Sequence, residues 1–225
     1  MINMAHIAVL GLGNWGTAIA RLWLLEGHKV KGWTIEQEVY ESITMRDTNE
    51  KYLADHPVPG LDATMHLDEA MDGSEIIVLA VPSSVILDVM EDVLPHLQPG
   101  HVLLDLAKGL APGKRLISEA IHTRLKEEGK ANPLAVLTGP TIAPEAAGGV
   151  MTTALVASED QAIAQRLAQT LLCGYSGAVR LLLPAPRTNY KSYSGSQTSE
   201  WHEWRSTAAG SSAASACLVA SALQA

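Results

Sequence analysis

Short apolar runs alternate along the first three quarters of the chain with longer stretches in which apolar residues recur every three or four positions. The runs His6–Leu10, Lys29–Trp33, Ile76–Val81, His101–Leu106, Leu134–Leu137 and Thr152–Ala157 read as strands, with a weaker one around Ala63–His66. Ile76–Val81 (IIVLAV) has no polar alternation, which predicts a strand covered on both faces. Helical spacing predicts helices over Trp15–Glu26, Ser84–Leu97, Lys114–Glu128 and Asp160–Leu172, and a helical turn over Asp68–Met71. Gly27-His28 turns the first helix into the second strand, and Pro82 ends IIVLAV. Strands that alternate with helices feed a parallel sheet, so the expected class is α/β. From Gly174 to Thr207 no period of 2 or 3.6 is sustained, and the small-residue helical pattern of Ala208–Leu223 is weakened by Gly210 and its serines.

Composition changes at the same place. Residues 1–173 carry 12 Lys/Arg and 22 Asp/Glu, whereas residues 174–225 carry four basic residues (Arg180, Arg187, Lys191, Arg205) and two acidic ones (Glu200, Glu203). The second segment also holds ten serines and ten alanines in 52 residues and lacks Asp, Ile and Met, so a boundary falls near Gly174. The whole chain of 225 residues, 47% hydrophobic and 18% charged, has a globular composition. Its net charge of −8 argues against gripping a polyphosphate backbone as the main task, and nucleic acid is not an expected partner. Cys173 and Cys217 form no CxxC pair, which leaves a reducing cytoplasm as the expected compartment. The apolar run Ile7–Leu10 is cut short by glycines and Ser206–Ala225 is mostly Ala and Ser, so neither a signal peptide nor a membrane span is expected. The eight histidines show no ligand spacing; His6, His101 and His122 read as strand or helix surface residues, and no metal is expected.

The first chemical signal is Gly11-Leu12-Gly13-Asn14-Trp15-Gly16, a G-x-G-x-x-G between the strand IAVL and a helix. In that context Gly11 allows a tight turn, Gly13 lets backbone approach a pyrophosphate, and Gly16 lets the helix pack on the strand. The positive end of the helix attracts the diphosphate. These features predict a Rossmann-type, doubly wound, mostly parallel sheet over residues 1–173 with NAD or NADP as cofactor. Trp33-Thr34 stands where an NAD enzyme often has Asp or Glu, Glu36 is off the usual position, and no arginine follows until Arg46. The missing carboxylate leans the expectation toward NADP.

Five separated segments then resemble one family, the bacterial NAD(P)-dependent glycerol-3-phosphate dehydrogenases: GLGNWGTAIA, NEKYLADHPVPGLDAT, IIVLAVPSS, LLDLAKGL and LTGPTIAPE, in the family's order and together covering about residues 5–172. The resemblance implies that Asn14 and Trp15 contact the cofactor with the glycines. Lys108 would lie between nicotinamide and substrate, Gly139 and Thr141 would contact a small phosphate substrate, and Ala143 would line the cofactor site. Asn14 and Thr141 stand where serine is common, and Pro144 where the family often has lysine. By position alone Lys108 ends a buried strand, where α/β sheets place ligands, and reads equally as a solvated loop lysine; Gly139-Pro140-Thr141 reads equally as a plain turn. The family's activity is hydride transfer between NAD(P)H and dihydroxyacetone phosphate, or back from sn-glycerol 3-phosphate, feeding phospholipid synthesis; a homodimer is left open.

Nothing after Cys173 resembles the family's helical substrate domain, which opens with a G-G-A-L-K-N segment carrying a proton-transferring lysine. Lys191 stands at roughly that lysine's distance from Lys108, in a setting, RTNYKSYSG, without the family's glycines and asparagine. A shifted reading frame near residue 174, a divergent short protein and a fusion junction each account for the break. The expectation is therefore a dinucleotide domain with the helical domain missing or replaced and with impaired turnover. The alternatives are a non-catalytic dinucleotide-binding fragment and another Rossmann-type dehydrogenase or reductase.

Overall fold

A computed structural model of the chain describes residues 4–112, 115–139, 141–150, 152–171 and 179–182. Strand β1 (His6–Leu10) leads through the glycine loop to helix α1 (Asn14–Leu25), then β2 (Lys29–Trp33), α2 (Gln37–Arg46), β3 (Asp62–Thr64), α3 (Leu67–Met71) and β4 (Ile76–Leu79). The chain continues through α4 (Ile86–Val93), β5 (Val102–Asp105), a small hairpin of β6 (Leu110–Ala111) and β7 (Arg115–Leu116), and α5 (Ile117–Glu127). It closes with β8 (Leu134–Thr138), α6 (Ala143–Ala147), β9 (Thr152–Ser158), α7 (Gln161–Thr170) and β10 (Val179–Leu182).

The main sheet runs β3-β2-β1-β4-β5-β8-β9-β10. From β3 to β8 every pairing is parallel; β9 runs antiparallel to β8, and β10 runs parallel to β9. The first six strands thus follow the dinucleotide-binding order of Rossmann folds. The chain winds from β1 outward to β2 and β3, then crosses back to β4 on the other side of β1. The carboxyl ends of β1 and β4 therefore form a topological switch point, where such sheets bind ligands.

Continuous apolar sequence makes this sheet possible because both faces are covered. Ile7, Val9, Val78 and Leu104 pack against α1 and α7, while Leu10, Ile77, Leu79 and Leu103 pack against α4 and α5. In α1, Ile19, Leu22 and Trp23 share one face at helical spacing and are all but fully buried. Each such side chain contributes about 1.5–3 kcal/mol by leaving water.

Several elements differ from expectation for local reasons. The helix expected through Leu97 stops at Val93 and continues only as a 3-10 turn over Leu94–His96, because Pro95 has no N–H to donate. Arg115–Leu116, expected as the first turn of a helix, pairs with Leu110–Ala111 instead. Helix α2 is absent from the expected elements, since just Val39, Ser42 and Ile43 are buried and the periodicity is faint. Strand β10 lies in the segment without a sustained period, and four residues are too few to show one. The segment 208–223, read as a weakened helix, lies outside the described residues. Among the described residues no helix is long and apolar enough to cross a membrane.

Candidate functional site

The three glycines of the first loop are held by different constraints. Gly11 has φ +105°, a region side chains rarely adopt, and a Cβ there would stand 2.9 Å from both the Ala80 carbonyl oxygen and Val81 Cγ1. Its N–H donates to the Trp33 carbonyl at 2.9 Å, joining the ends of β1 and β2. A Cβ on Gly16 would lie 1.9 Å from the Gly11 carbonyl oxygen. Gly13 is different: its φ of −74° suits any residue, and a Cβ there would meet nothing within 4 Å. Packing demands glycine at 11 and 16 but not at 13, where a Cβ would enter open space. Gly13 is also the N-cap of α1, offers no side chain to cap the helix, and is followed by no acidic residue in the first turn. The positive helix end thus faces open space at the switch point, which fits a diphosphate.

Asn49, from the second resembling segment, secures this loop. It is fully buried, and its Nδ2 donates to the Leu12 carbonyl and to Thr17 Oγ1, each at 2.8 Å. Thr17 Oγ1 in turn donates to the same carbonyl at 3.1 Å. Gly32 on β2 makes room for Leu12, whose Cδ1 would be 2.8 Å from a Cβ there. Neither Asn49 nor Gly32 was singled out from sequence, because each acts on a loop distant along the chain.

Of the residues implied as cofactor contacts, Asn14 is exposed, while Trp15 and Ala143 are partly buried against one small cluster of Ala18, Leu53 and Ala147. Arg21 on α1 reinforces it, donating through Nε to the Ala147 carbonyl at 3.3 Å and through Nη1 to that of Pro57 at 2.5 Å. The first, second and fifth segments are thereby brought together. At the end of β2, Glu36 accepts from Tyr52 Oη at 2.8 Å and from Lys51 Nζ at 2.5 Å. Lys51 also pairs with Glu38, and its hydrogen bond to Glu36 holds that carboxyl below its usual range.

The third, fourth and fifth segments meet at the ends of β4, β5 and β8. Gly109, with φ +129°, lies close enough to Ser83 that a Cβ would be 3.1 Å from its Oγ. Asp105, buried at the end of β5, accepts the Ala107 N–H at 2.8 Å and so starts the turn that presents Lys108. Burial pushes the Asp105 carboxyl up to about 7. Lys108 donates from Nζ to the Thr141 carbonyl at 3.3 Å, which joins two of the implied substrate residues. The Lys108 side chain is exposed but crowded on one side, and desolvation lowers its pKa. Gly139 and Thr141 are buried, and the Thr141 N–H donates to the Gly139 carbonyl at 2.9 Å. Pro140 and Lys191 lie outside the described residues. His101, expected on a strand surface, is buried at the opposite, amino end of β5, where its Nδ1 accepts the Gln98 N–H at 3.1 Å. Among the described residues no group of three or more His, Cys, Asp or Glu could hold a metal ion.

Residues 6–164 match the family model described as the NAD-dependent glycerol-3-phosphate dehydrogenase N-terminus. The chain belongs to that family. It is 38% identical over 170 residues to a glycerol-3-phosphate dehydrogenase [NAD(P)+] of Exiguobacterium sp., covering 75% of this chain and 50% of the relative. The corresponding enzyme of Pseudoalteromonas translucida is 37% identical over 172 residues, covering 76% and 50%. The crystal structure of a glycerol-3-phosphate dehydrogenase from Coxiella burnetii superposes with a TM-score of 0.72 at 29% identity, covering 81% of this chain and 54% of that one. The chain thus spans about half the length of the curated relatives it matches. Membership in an NAD(P)-dependent oxidoreductase family accounts for the five segments meeting at one edge of the sheet.

Proposed function

We propose that the chain acts as a glycerol-3-phosphate dehydrogenase through a dinucleotide-binding domain formed by residues 1–173, whose sheet Val179–Leu182 extends by one strand, with the rest of residues 174–225 a separate segment. The reaction moves a hydride between NAD(P)(H) and C2 of dihydroxyacetone phosphate or sn-glycerol 3-phosphate in phospholipid synthesis. The observation that carries this is Gly13, a glycine its own packing does not require, at an uncapped helix terminus beside the switch point. In the cell this is a cytoplasmic protein acting on a small phosphate substrate, not on nucleic acid, and compatible with a homodimer.

Gly11, Gly13 and the first turn of α1 would receive the diphosphate, with Asn14, Trp15 and Ala143 along the bound dinucleotide. When bound, the nicotinamide supplies or accepts the hydride. Lys108, moving off the Thr141 carbonyl, would set its ammonium against the C2 oxygen, where partial desolvation makes the proton easier to release to a forming alkoxide. Gly139 and Thr141 would hold the substrate so that C2 stays within reach. Lys191 is the second candidate for proton transfer, and the loss of family glycines around it favours a second reading in which dinucleotide binds without turnover.

Fluorescence titration with NADH and NADPH tests the first part: the chain binds a dinucleotide, and Gly13→Val abolishes it because the side chain enters the diphosphate's path. Unchanged affinity in Gly13→Val removes the cofactor assignment. Dihydroxyacetone phosphate reduction at about 1 s⁻¹ or more, the low end of ordinary turnover, supports the dehydrogenase, and binding without it supports the second reading. Loss of that turnover in Lys191→Ala would assign the second lysine.

A further inference from the structure

We propose that Glu36, held at the end of β2 by Lys51 and Tyr52, selects a ribose 2′-hydroxyl over a 2′-phosphate, making this chain a binder of NAD(H) in preference to NADP(H). This rests on the cofactor site argued above and reverses the lean drawn from sequence.

Glu36 lies three residues past the end of β2, off the strand-end position at Trp33-Thr34, yet counted from Gly16 it falls twenty residues on, within the approximate interval at which an acidic residue meets the adenosine ribose in such folds. The structure ties it to the glycine loop by two routes. Along the backbone, the Gly11 N–H bonds to the Trp33 carbonyl at 2.9 Å, and Thr34 Oγ1 accepts the Glu36 N–H at 3.1 Å. Through side chains, Tyr52 Oη donates to Glu36, the Tyr52 N–H donates to Asn49 Oδ1 at 3.3 Å, and Asn49 holds the Leu12 carbonyl. The carboxylate is therefore fixed relative to the loop that would receive the diphosphate. Its side chain is 31% exposed, and a carboxylate has about four lone-pair sites, so it can accept a ribose hydroxyl while keeping Lys51 and Tyr52.

The charge around it opposes a phosphate. Lys51 is shared between Glu36 and Glu38, so the three groups carry a net −1. Arg46, the first arginine after β2, is engaged with Glu50 at 2.6 and 2.8 Å. A 2′-phosphate would bring close to two negative charges against this cluster, whereas a hydroxyl donates a charge-assisted hydrogen bond to it.

The test titrates the full chain with NADH and NADPH by nicotinamide fluorescence, and with ADP-ribose and its 2′-phosphorylated form by calorimetry, so that no turnover is needed. NADH should bind at least about tenfold more tightly, and the two fragments should rank the same way. Glu36→Gln should weaken NADH, strengthen NADPH and narrow the ratio, with unchanged circular dichroism as the folding control. Lys51→Met should widen the ratio by removing the counter-charge from two carboxylates. NADPH bound as tightly as NADH by the parent chain, or a Glu36→Gln variant that leaves the ratio of the two affinities unchanged, overturns the assignment. Failure of both dinucleotides to bind overturns the cofactor site itself together with this selectivity.

Discussion

The two halves of the ligand-facing edge are built to different standards. Around the ends of β1 and β2, backbone and side chains lock one another: Gly11 to Trp33, Asn49 to Leu12 and Thr17, Tyr52 to Glu36 and Asn49. Around the ends of β5 and β8, among the described residues, Lys108 rests on a single carbonyl at 3.3 Å, and the Thr141 hydroxyl makes a long 3.5 Å contact with the Gly139 carbonyl. A site that holds a diphosphate must have its amides fixed in advance, because it acts through position alone. A lysine that meets a reacting oxygen must be able to leave its resting partner. The first half is thus cross-braced, whereas in the second Lys108 stands exposed with one long hydrogen bond among the described residues.

The sharpest contrast is available within the glycine loop. Gly16→Val should cost at least about 3 kcal/mol of folding stability in denaturant titration, because its Cβ would collide with backbone rather than with a yielding side chain. Gly13→Val should stay within about 1 kcal/mol of the parent while losing dinucleotide. Equal destabilisation by the two would erase the distinction between a glycine required by packing and one required by a ligand.

On the other half, Asp105 should make stability depend on pH. Its folded-state pKa of about 7 lies above the ordinary carboxyl value of 3.8, so between these values the unfolded chain binds fewer protons. Stability therefore falls as pH rises from about 4 to about 7, by up to about 4 kcal/mol, and stays reduced above that. Asp105→Asn keeps an acceptor for the Ala107 N–H and removes the charge, so it should flatten the slope and stabilise the protein at pH 8 more than at pH 4. A slope unchanged by the substitution would assign the dependence to other groups.

Asn49→Ala should come next in size. It leaves the Leu12 carbonyl and Thr17 hydroxyl short of a buried donor at a cost of about 1–3 kcal/mol, and it should weaken dinucleotide binding without touching the ligand. Full affinity at reduced stability would show that the loop keeps its shape without this latch.

What sequence disclosed was local. Ile76–Leu79 buries both faces, so its unbroken apolar run reported its place in the sheet, and the glycine loop reported itself because strand, turn and helix are contiguous. What stayed hidden depends on pairs far apart in sequence. Asn49 meets Leu12 across 37 positions and Lys108 meets Thr141 across 33, and only the strand order brings them together. The anchoring of Glu36 by Lys51 and Tyr52, 15 and 16 positions away, likewise has no local signature. Helix α2 hid for a different reason: it turns little apolar surface inward, so its periodicity is faint.

The smallest effect on folding is expected from Lys108→Met. The side chain is exposed, its one long hydrogen bond goes to a carbonyl, and its crowding already disfavours the charge, so stability should change by no more than about 0.5 kcal/mol. NADH affinity should also hold, since the proposed dinucleotide contacts at Gly11, Gly13 and the first turn of α1 lie at the other half. If the chain reduces dihydroxyacetone phosphate, however, that turnover should fall by about 10²–10⁴, the usual worth of a positioned acid–base group. Lys108→Arg should not restore it, because a guanidinium keeps its charge but does not release its proton to a forming alkoxide. A large loss of stability in Lys108→Met would mark the residue as part of the scaffold, and retained turnover would remove it from the chemistry; either result would dissolve the contrast between a cross-braced half and one that presents a reactive lysine.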